Sequence, residues 1–185
     1  CAEALAAEGA RVVLTDVDDA RGEALAATLC AAGHDALYLH QDVTDEARWA
    51  EVIGSIEAKH GTLDVLVSNA GIAIMKPLLD MTLAEWRRQN AVNLDAVFLS
   101  VKYAIPAMRR AGGGSIIMMS SIAGIRGSAG LAGYSASKGA VRLFSKSVAL
   151  ECAGARDGIR CNSVHPGVIE TDIWQKMPQG SPGGR

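Results

Sequence analysis

Short apolar runs rich in β-branched residues alternate with helix-periodic stretches along this 185-residue chain, and no two runs are joined by a hairpin turn. That alternation constrains the fold more than any other feature. Parallel strands need a long crossover, usually a helix, whereas antiparallel neighbours need only a tight turn. The strand-like runs are 11–16, 36–40, 63–67, 115–119 and 158–164. Asp18 is placed to cap a helix over 19–32, with Gly33 as its stop. Thr44 or Asp45 starts another, in which Trp49, Val52, Ile53 and Ile56 recur at i, i+3, i+4 and i+7, and Gly61 ends it. Thr82-Leu83-Ala84-Glu85 matches a capping box. The helix it opens runs toward Arg110, with Leu94, Val97, Phe98, Val101, Ile105 and Met108 as its stripe and Asn90 and Asn93 breaking the pattern. A last helix carries Tyr134 and reaches about Cys152. The pattern predicts an α/β fold: one domain over 1–185, a doubly wound parallel sheet with helices on both faces.

Composition supports that choice. Hydrophobic residues make up 49% but aromatics only 4%, so the apolar content is Ala, Val, Leu and Ile, which suits buried parallel strands under alanine-rich helices. Basic and acidic residues nearly balance, 18 against 20, which argues against nucleic acid as a partner. No apolar run looks long enough to span a bilayer, so no membrane partner is expected. Cys1, Cys30, Cys152 and Cys161 form no Cys-x-x-Cys pair and no metal-ligand spacing. They read as small buried groups in a reducing compartment, which predicts a cytoplasmic protein without a metal. Residues 1–9 read as the back half of a helix and 180–185 end without an element, so the domain is expected to be incomplete at both ends.

Ligands of such sheets bind beyond the carboxyl ends of the strands. Each strand here ends on a polar or small group: Asp16, Asp42, the turn Asn69-Ala70-Gly71, Ser121, and the turn Pro166-Gly167. One such residue is ordinary turn chemistry. Five in succession on one edge point to an extended ligand lying across the sheet.

Tyr134 and Lys138 are four residues apart, so on a helix they share a face about one turn apart. An ammonium beside a phenol favours the phenolate and should lower the tyrosine pKa from about 10. A tyrosine tuned this way serves as a general acid or base. The same spacing also fits a half-buried tyrosine beside a snorkelling lysine.

Together, Asp42-Val43, Asn69-Ala70-Gly71, Asn93, Ser121, Tyr134-x-x-x-Lys138 and Pro166-Gly167-x-Ile169-x-Thr171 resemble the short-chain dehydrogenase/reductase family, in its order and spacing, over essentially all 185 residues. The resemblance implies a Rossmann-like fold and a hydride transfer between NAD and a small-molecule secondary alcohol or ketone, such as a hydroxysteroid or cyclic alcohol. It implies Asn93, Ser121, Tyr134 and Lys138 as the catalytic group. Tyr134 would exchange the proton, Ser121 would stabilise the substrate oxygen, Lys138 would lower the Tyr134 pKa and hold the nicotinamide ribose, and Asn93 would seat a water. Asp16 would meet the adenosine ribose, favouring NAD over NADP because a carboxylate repels a 2′-phosphate. Asp42 and Val43 would meet adenine; Asn69, Ala70 and Gly71 would pass close to the cofactor. Pro166, Gly167, Ile169 and Thr171 would hold the carboxamide. A homodimer or homotetramer through the two long helices is implied as well. The family's first strand and Gly-rich turn are missing before Cys1, its last elements are missing after Arg185, and its substrate lid falls beyond Met177. Residues 1–185 alone are therefore expected to bind NAD poorly. The alternatives are a 3-oxoacyl carrier-protein reductase, docked through Arg87-Arg88 and Arg109-Arg110, and a non-catalytic NAD-binding protein on the same fold.

Overall fold

The computed structural model describes residues 1–169, 171 and 173. β1 (Val12–Asp16) and β2 (Ala36–His40) pair in parallel, with Val12 opposite Ala36 and Asp16 opposite His40. β3 (Val65–Ser68), β4 (Gly114–Met119) and β5 (Ile159–Val164) form a second parallel sheet in the order β3-β4-β5. Every pairing is parallel, as the alternation requires. Among the described residues the strands form two sheets rather than one continuous sheet. β1 and β3 do not pair. Thr15 and Asp16 from one, and Val67 and Ser68 from the other, line a shared cleft of about 110 Å³.

The helices start where local chemistry supplies caps. α1 (Ala2–Ala7) leads into β1. Asp18 accepts from Arg21 N at the start of α2 (Asp19–Ala31), and Asp45 accepts from Ala47 N and Arg48 N at the start of α3 (Glu46–His60). Gly61 ends α3 at φ +80, where a side chain would be strained. Trp49, Val52 and Ile53 are buried, so the predicted stripe of α3 faces inward. α4 (Leu83–Asn90) opens with the full capping box between Thr82 and Glu85.

The single helix expected over 82–110 is two helices joined by a π-helical turn. α4 gives way to Ala91–Asp95, and α5 (Ala96–Ala111) follows. The extra residue in that turn rotates the helix face, which puts Asn93 inside where the apolar stripe breaks. Phe98, expected in the stripe, is 48% exposed. The continuous run Leu83–Ala111 is also long and apolar enough to cross a membrane by length and composition. That corrects the expectation of no such segment, but half of its apolar window is buried within the protein, as in a core helix.

The main core lies between α5, α6 (Ala132–Ala155) and the β3-β4-β5 sheet, around Met108, Ile116, Met118 and Val141, all fully buried. Full burial of such side chains contributes roughly 1.5–3 kcal/mol each. A smaller cluster of Ala6, Val12 and Leu29 holds the two-stranded sheet. All four cysteines are free; Cys152 and Cys161 are buried as expected, but Cys1 and Cys30 are exposed.

Candidate active site

β4 delivers the chain to Ser120 and Ser121, and the two serines divide their work. Ser120 is buried, and its Oγ donates to the Lys138 carbonyl at 2.8 Å, pinning α6 to the strand end. Ser121 caps the short 3-10 turn Ile122–Gly124, accepting from Ala123 N at 3.1 Å, and its side chain is close enough to the Tyr134 phenol to oppose its upward pKa shift. The turn rests directly on α6. A Cβ on Gly124 would lie 2.6 Å from the Lys138 carbonyl oxygen, so the close approach depends on glycine.

Tyr134 and Lys138 lie one turn apart on α6, 6% and 3% exposed. Their electrostatics differ from the expectation. Burial pushes the Tyr134 phenol up, and the neighbouring Ser121 hydroxyl only partly opposes it. Burial likewise pushes Lys138 down to about 8. The lysine Nζ donates to the Met119 carbonyl at 2.8 Å and stands 5.8 Å from the centre of the Tyr134 ring. Desolvation dominates, and the predicted lowering of the Tyr134 pKa by Lys138 is not seen.

Asn93 is fully buried at the π-helical turn, and its carboxamide is already engaged. Oδ1 accepts from Ile72 N at 2.8 Å; Nδ2 donates to Ile72 O at 2.9 Å and to Ser137 Oγ at 3.1 Å. Both amide protons are used, so the side chain straps the loop after β3 onto α6, with only acceptor capacity on Oδ1 left for a water. One turn earlier, buried Gln89 does similar work: its Oε1 accepts from Ile74 N at 2.6 Å. The same loop carries Gly71, where a Cβ would meet Lys138 Nζ at 3.3 Å and Asn93 Oδ1 at 3.4 Å.

The other strand ends open on the same side. Asp16 is exposed, and its Oδ1 accepts from Val17 N at 2.7 Å and Asp18 N at 3.1 Å. Asp42 Oδ1 accepts from the Thr44 backbone N–H and from its hydroxyl, which holds the carboxyl below its usual range. Part of that carboxylate is therefore spent on the entry to α3. Val43 offers its carbonyl to Trp49 Nε1 at 2.9 Å and lines the cleft together with Asn69 and Ala70. Beyond β5, the Pro166 carbonyl accepts from Ile122 N at 2.9 Å, joining this turn to the Ser121 segment. Gly167, Ile169 and Thr171 are exposed. The stretch beyond Met177, where a lid was expected, lies outside the described residues.

Two contributors, Gln89 and Ser137, escaped the sequence reading, whereas His165 reads from the sequence as structural rather than catalytic. Gln89 precedes Asn93 by four, so a shared helix face was the available signal. Ser137 donates to the Tyr134 carbonyl at 2.8 Å and accepts from Asn93, which no local pattern announces. His165 is partly buried: Nδ1 lies 3.2 Å from the Ser121 carbonyl and Nε2 lies 3.0 Å from Ser163 Oγ. Because a carbonyl only accepts, Nδ1 carries the proton.

The family model described as short chain dehydrogenase matches residues 1–181. A cyclopentanol dehydrogenase from Comamonas sp. is 44% identical over 173 residues, covering 94% of this chain and 68% of that one. A 3-alpha-(or 20-beta)-hydroxysteroid dehydrogenase from Mycobacterium tuberculosis is 44% identical over 176 residues, covering 95% and 66%. The chain therefore spans about two thirds of the length of these relatives. Among solved structures, a gluconate 5-dehydrogenase from Burkholderia cenocepacia, in complex with NADP and tartrate, superposes with a TM-score of 0.88 at 33% identity, covering 97% of this chain and 70% of that one.

Proposed function

The chain belongs to the short chain dehydrogenase family, NAD(P)-dependent enzymes acting on CH–OH groups, and from that premise we propose that it interconverts a cyclic or steroidal secondary alcohol and its ketone with NAD, using Tyr134 as general acid and base. One observation carries the reading. Ser121, Tyr134 and Lys138 are all buried together at the carboxyl end of β4, with Lys138 one helical turn from Tyr134.

The residues present suit a nicotinamide dinucleotide. The Asn69–Gly71 turn passes close to Lys138, and Asp16 keeps Oδ2 without a hydrogen bond among the described residues. Asp16 and Asp42 would hold the adenosine end, the 69–71 turn the middle, and Lys138 with the Pro166–Thr171 segment the nicotinamide end. When bound, the cofactor supplies or accepts the hydride. The carboxylate of Asp16 would repel a 2′-phosphate, which supports NAD as the preferred form.

The protein's own part is position and proton transfer. Burial keeps the Tyr134 phenol protonated at neutral pH, the state required to donate to a ketone oxygen. In the alcohol direction the same oxygen takes the hydroxyl proton. Ser121, aligned by its bond to Ala123 N, hydrogen-bonds the substrate oxygen and stabilises charge developing there. Asn93 acts by positioning: it fixes the loop beside Lys138 and the turn of α6 that carries Tyr134. The cyclopentanol and hydroxysteroid names of the two relatives support a cyclic substrate. A carrier-protein dock at Arg109 and Arg110 is disfavoured, because Arg109 pairs with Asp157 and Arg110 grips Glu57 with two bonds of 2.8 Å. Exposed Phe98, Leu143 and Leu150 on α5 and α6 support self-association through those helices.

Tyr134→Phe tests the assignment, since it keeps the ring and deletes the acid. Turnover of cyclic secondary alcohols should fall by about a hundredfold or more, in or above the usual range for general acid–base catalysis. NAD affinity should change little. Near-normal turnover would overturn the reading.

A further inference from the structure

Asp16 is held by more than its own turn. Its carbonyl oxygen accepts from Gln41 N at 2.9 Å and lies 2.7 Å from the Tyr38 hydroxyl, whose one proton is shared between this carbonyl and Asp19. The same hydroxyl lies 2.7 Å from Asp19 Oδ1, in the first turn of α2. His40 Nδ1 lies 2.7 Å from that Asp19 oxygen. The last residue of β1, the start of α2 and the face of β2 therefore meet at one phenol.

The phenol cannot wander. Its ring packs under α2, where a Cβ on Gly22 would come within 2.1 Å of it. The bond it makes also reaches the side chain that matters. The Asp16 carbonyl and the Val17 N–H belong to one planar peptide group. Tyr38 anchors the carbonyl end of that plane, and the N–H end donates to Asp16 Oδ1 at 2.7 Å. Turning the peptide would carry the carboxylate with it.

We propose that Tyr38 is a positioning residue for cofactor selection: its hydroxyl fixes the Asp16–Val17 peptide and so holds the Asp16 carboxylate in the orientation that selects a ribose hydroxyl over a 2′-phosphate. This rests on the reading of Asp16 given above.

A double-mutant cycle tests it. Tyr38→Phe keeps the ring under Gly22 and deletes the hydroxyl. NAD and NADP dissociation constants are measured by calorimetry, and kcat and KM by steady-state kinetics, on the full-length protein as wild type, Tyr38→Phe, Asp16→Ala and the double variant. Tyr38→Phe should weaken NAD about 3- to 10-fold, the scale of one hydrogen bond. NADP should weaken less, so the NADP-to-NAD affinity ratio rises. The effect should fall on KM for NAD rather than on kcat, and should vanish in the Asp16→Ala background. Asp19→Asn weakens the acceptor that competes with the Asp16 carbonyl for the one phenolic proton, so NAD affinity should hold or tighten; a loss like that expected of Tyr38→Phe would overturn the inference, and this variant carries the test if Tyr38→Phe does not fold. If Asp16→Ala weakens NAD but Tyr38→Phe does not, the inference about Tyr38 is wrong and the Asp16 reading stands. Equal weakening with and without Asp16 would mean a general structural effect and overturn the inference. An Asp16→Ala variant with unchanged affinities would bring down the Asp16 reading, and the inference with it.

Discussion

Replacing Asn93 with alanine should cost the protein about 3 kcal/mol of stability. Asn93 is 0% exposed and makes three hydrogen bonds, two with Ile72 and one with Ser137. A buried hydrogen bond contributes about 1 kcal/mol net, and orphaned partners raise that figure. Ser137 keeps its bond to the Tyr134 carbonyl, so the heavier loss falls on the Ile72 N–H and C=O. Three such bonds give about 3 kcal/mol, a large share of a typical 5–15 kcal/mol total. For a domain of this size that lowers Tm by about 6–12 °C. Urea unfolding followed by circular dichroism should show a lower midpoint at unchanged slope. Gln89→Leu is the control. Gln89 makes one such bond, to Ile74 N, while its Nε2 is buried without a partner. Losing it should cost no more than about 1 kcal/mol, because an unmet donor disappears together with the bond. An Asn93→Ala variant within about 1 kcal/mol of wild type, or a Gln89→Leu variant just as damaged, would refute the strap reading.

Two other outcomes follow from the catalytic helix. Lys138 is pushed down to about 8 by burial, below the roughly 10.4 of an exposed lysine. Between those values the unfolded chain binds the extra proton, so the burial penalty is full below about pH 8 and is relieved as pH rises toward about 10.4. Lys138→Met should flatten that rise in urea titrations from about pH 7 to 10.5, and matching slopes in the two proteins would contradict it. Gly124→Ala puts a methyl 2.6 Å from the Lys138 carbonyl oxygen and 2.7 Å from its carbon, both backbone atoms. Melting should report a loss of about 1–3 kcal/mol together with reduced turnover, and a stable, fully active variant would count against the close contact between turn and helix.

The parts legible in the sequence were those written locally. Caps at Asp18, Asp45 and Thr82 depend on residues two or three positions away, and each lies where the sequence puts it. The parallel pairing followed from the crossover length, and the α3 stripe from its period. What stayed hidden depends on distant partners. Asn90 and Asn93 broke an apolar pattern, but a π-helical turn follows only when Asn93 finds Ile72, 21 residues back. The spacing of Tyr134 and Lys138 announced a neighbouring charge, yet spacing carries no information on burial, and burial decides both titrations. Asp42 showed a carboxylate at a strand end, but not that Thr44 would occupy one of its oxygens.

On the proposed function, the two sheets would separate binding from chemistry. Asp16 and Asp42 follow the two-stranded sheet and its small cluster of Ala6, Val12 and Leu29. Ser121, Tyr134 and Lys138 depend on the three-stranded sheet and the main core. α3 links the halves. Its first turns hold the Val43 carbonyl through Trp49, while Ile53 and Ile56 join the main core. Glu46 at its start also meets Lys102 of α5 at 2.6 Å, but that pair is exposed and contributes little. α3 therefore ties the Val43 segment to the core under Tyr134, the two sides that the proposed function would use for adenosine and for proton transfer. Damage to the small cluster should reach NAD affinity before it reaches turnover, whereas damage around Trp49 and Ile53 should reach both, because Trp49 holds the Val43 carbonyl while Ile53 packs in the main core.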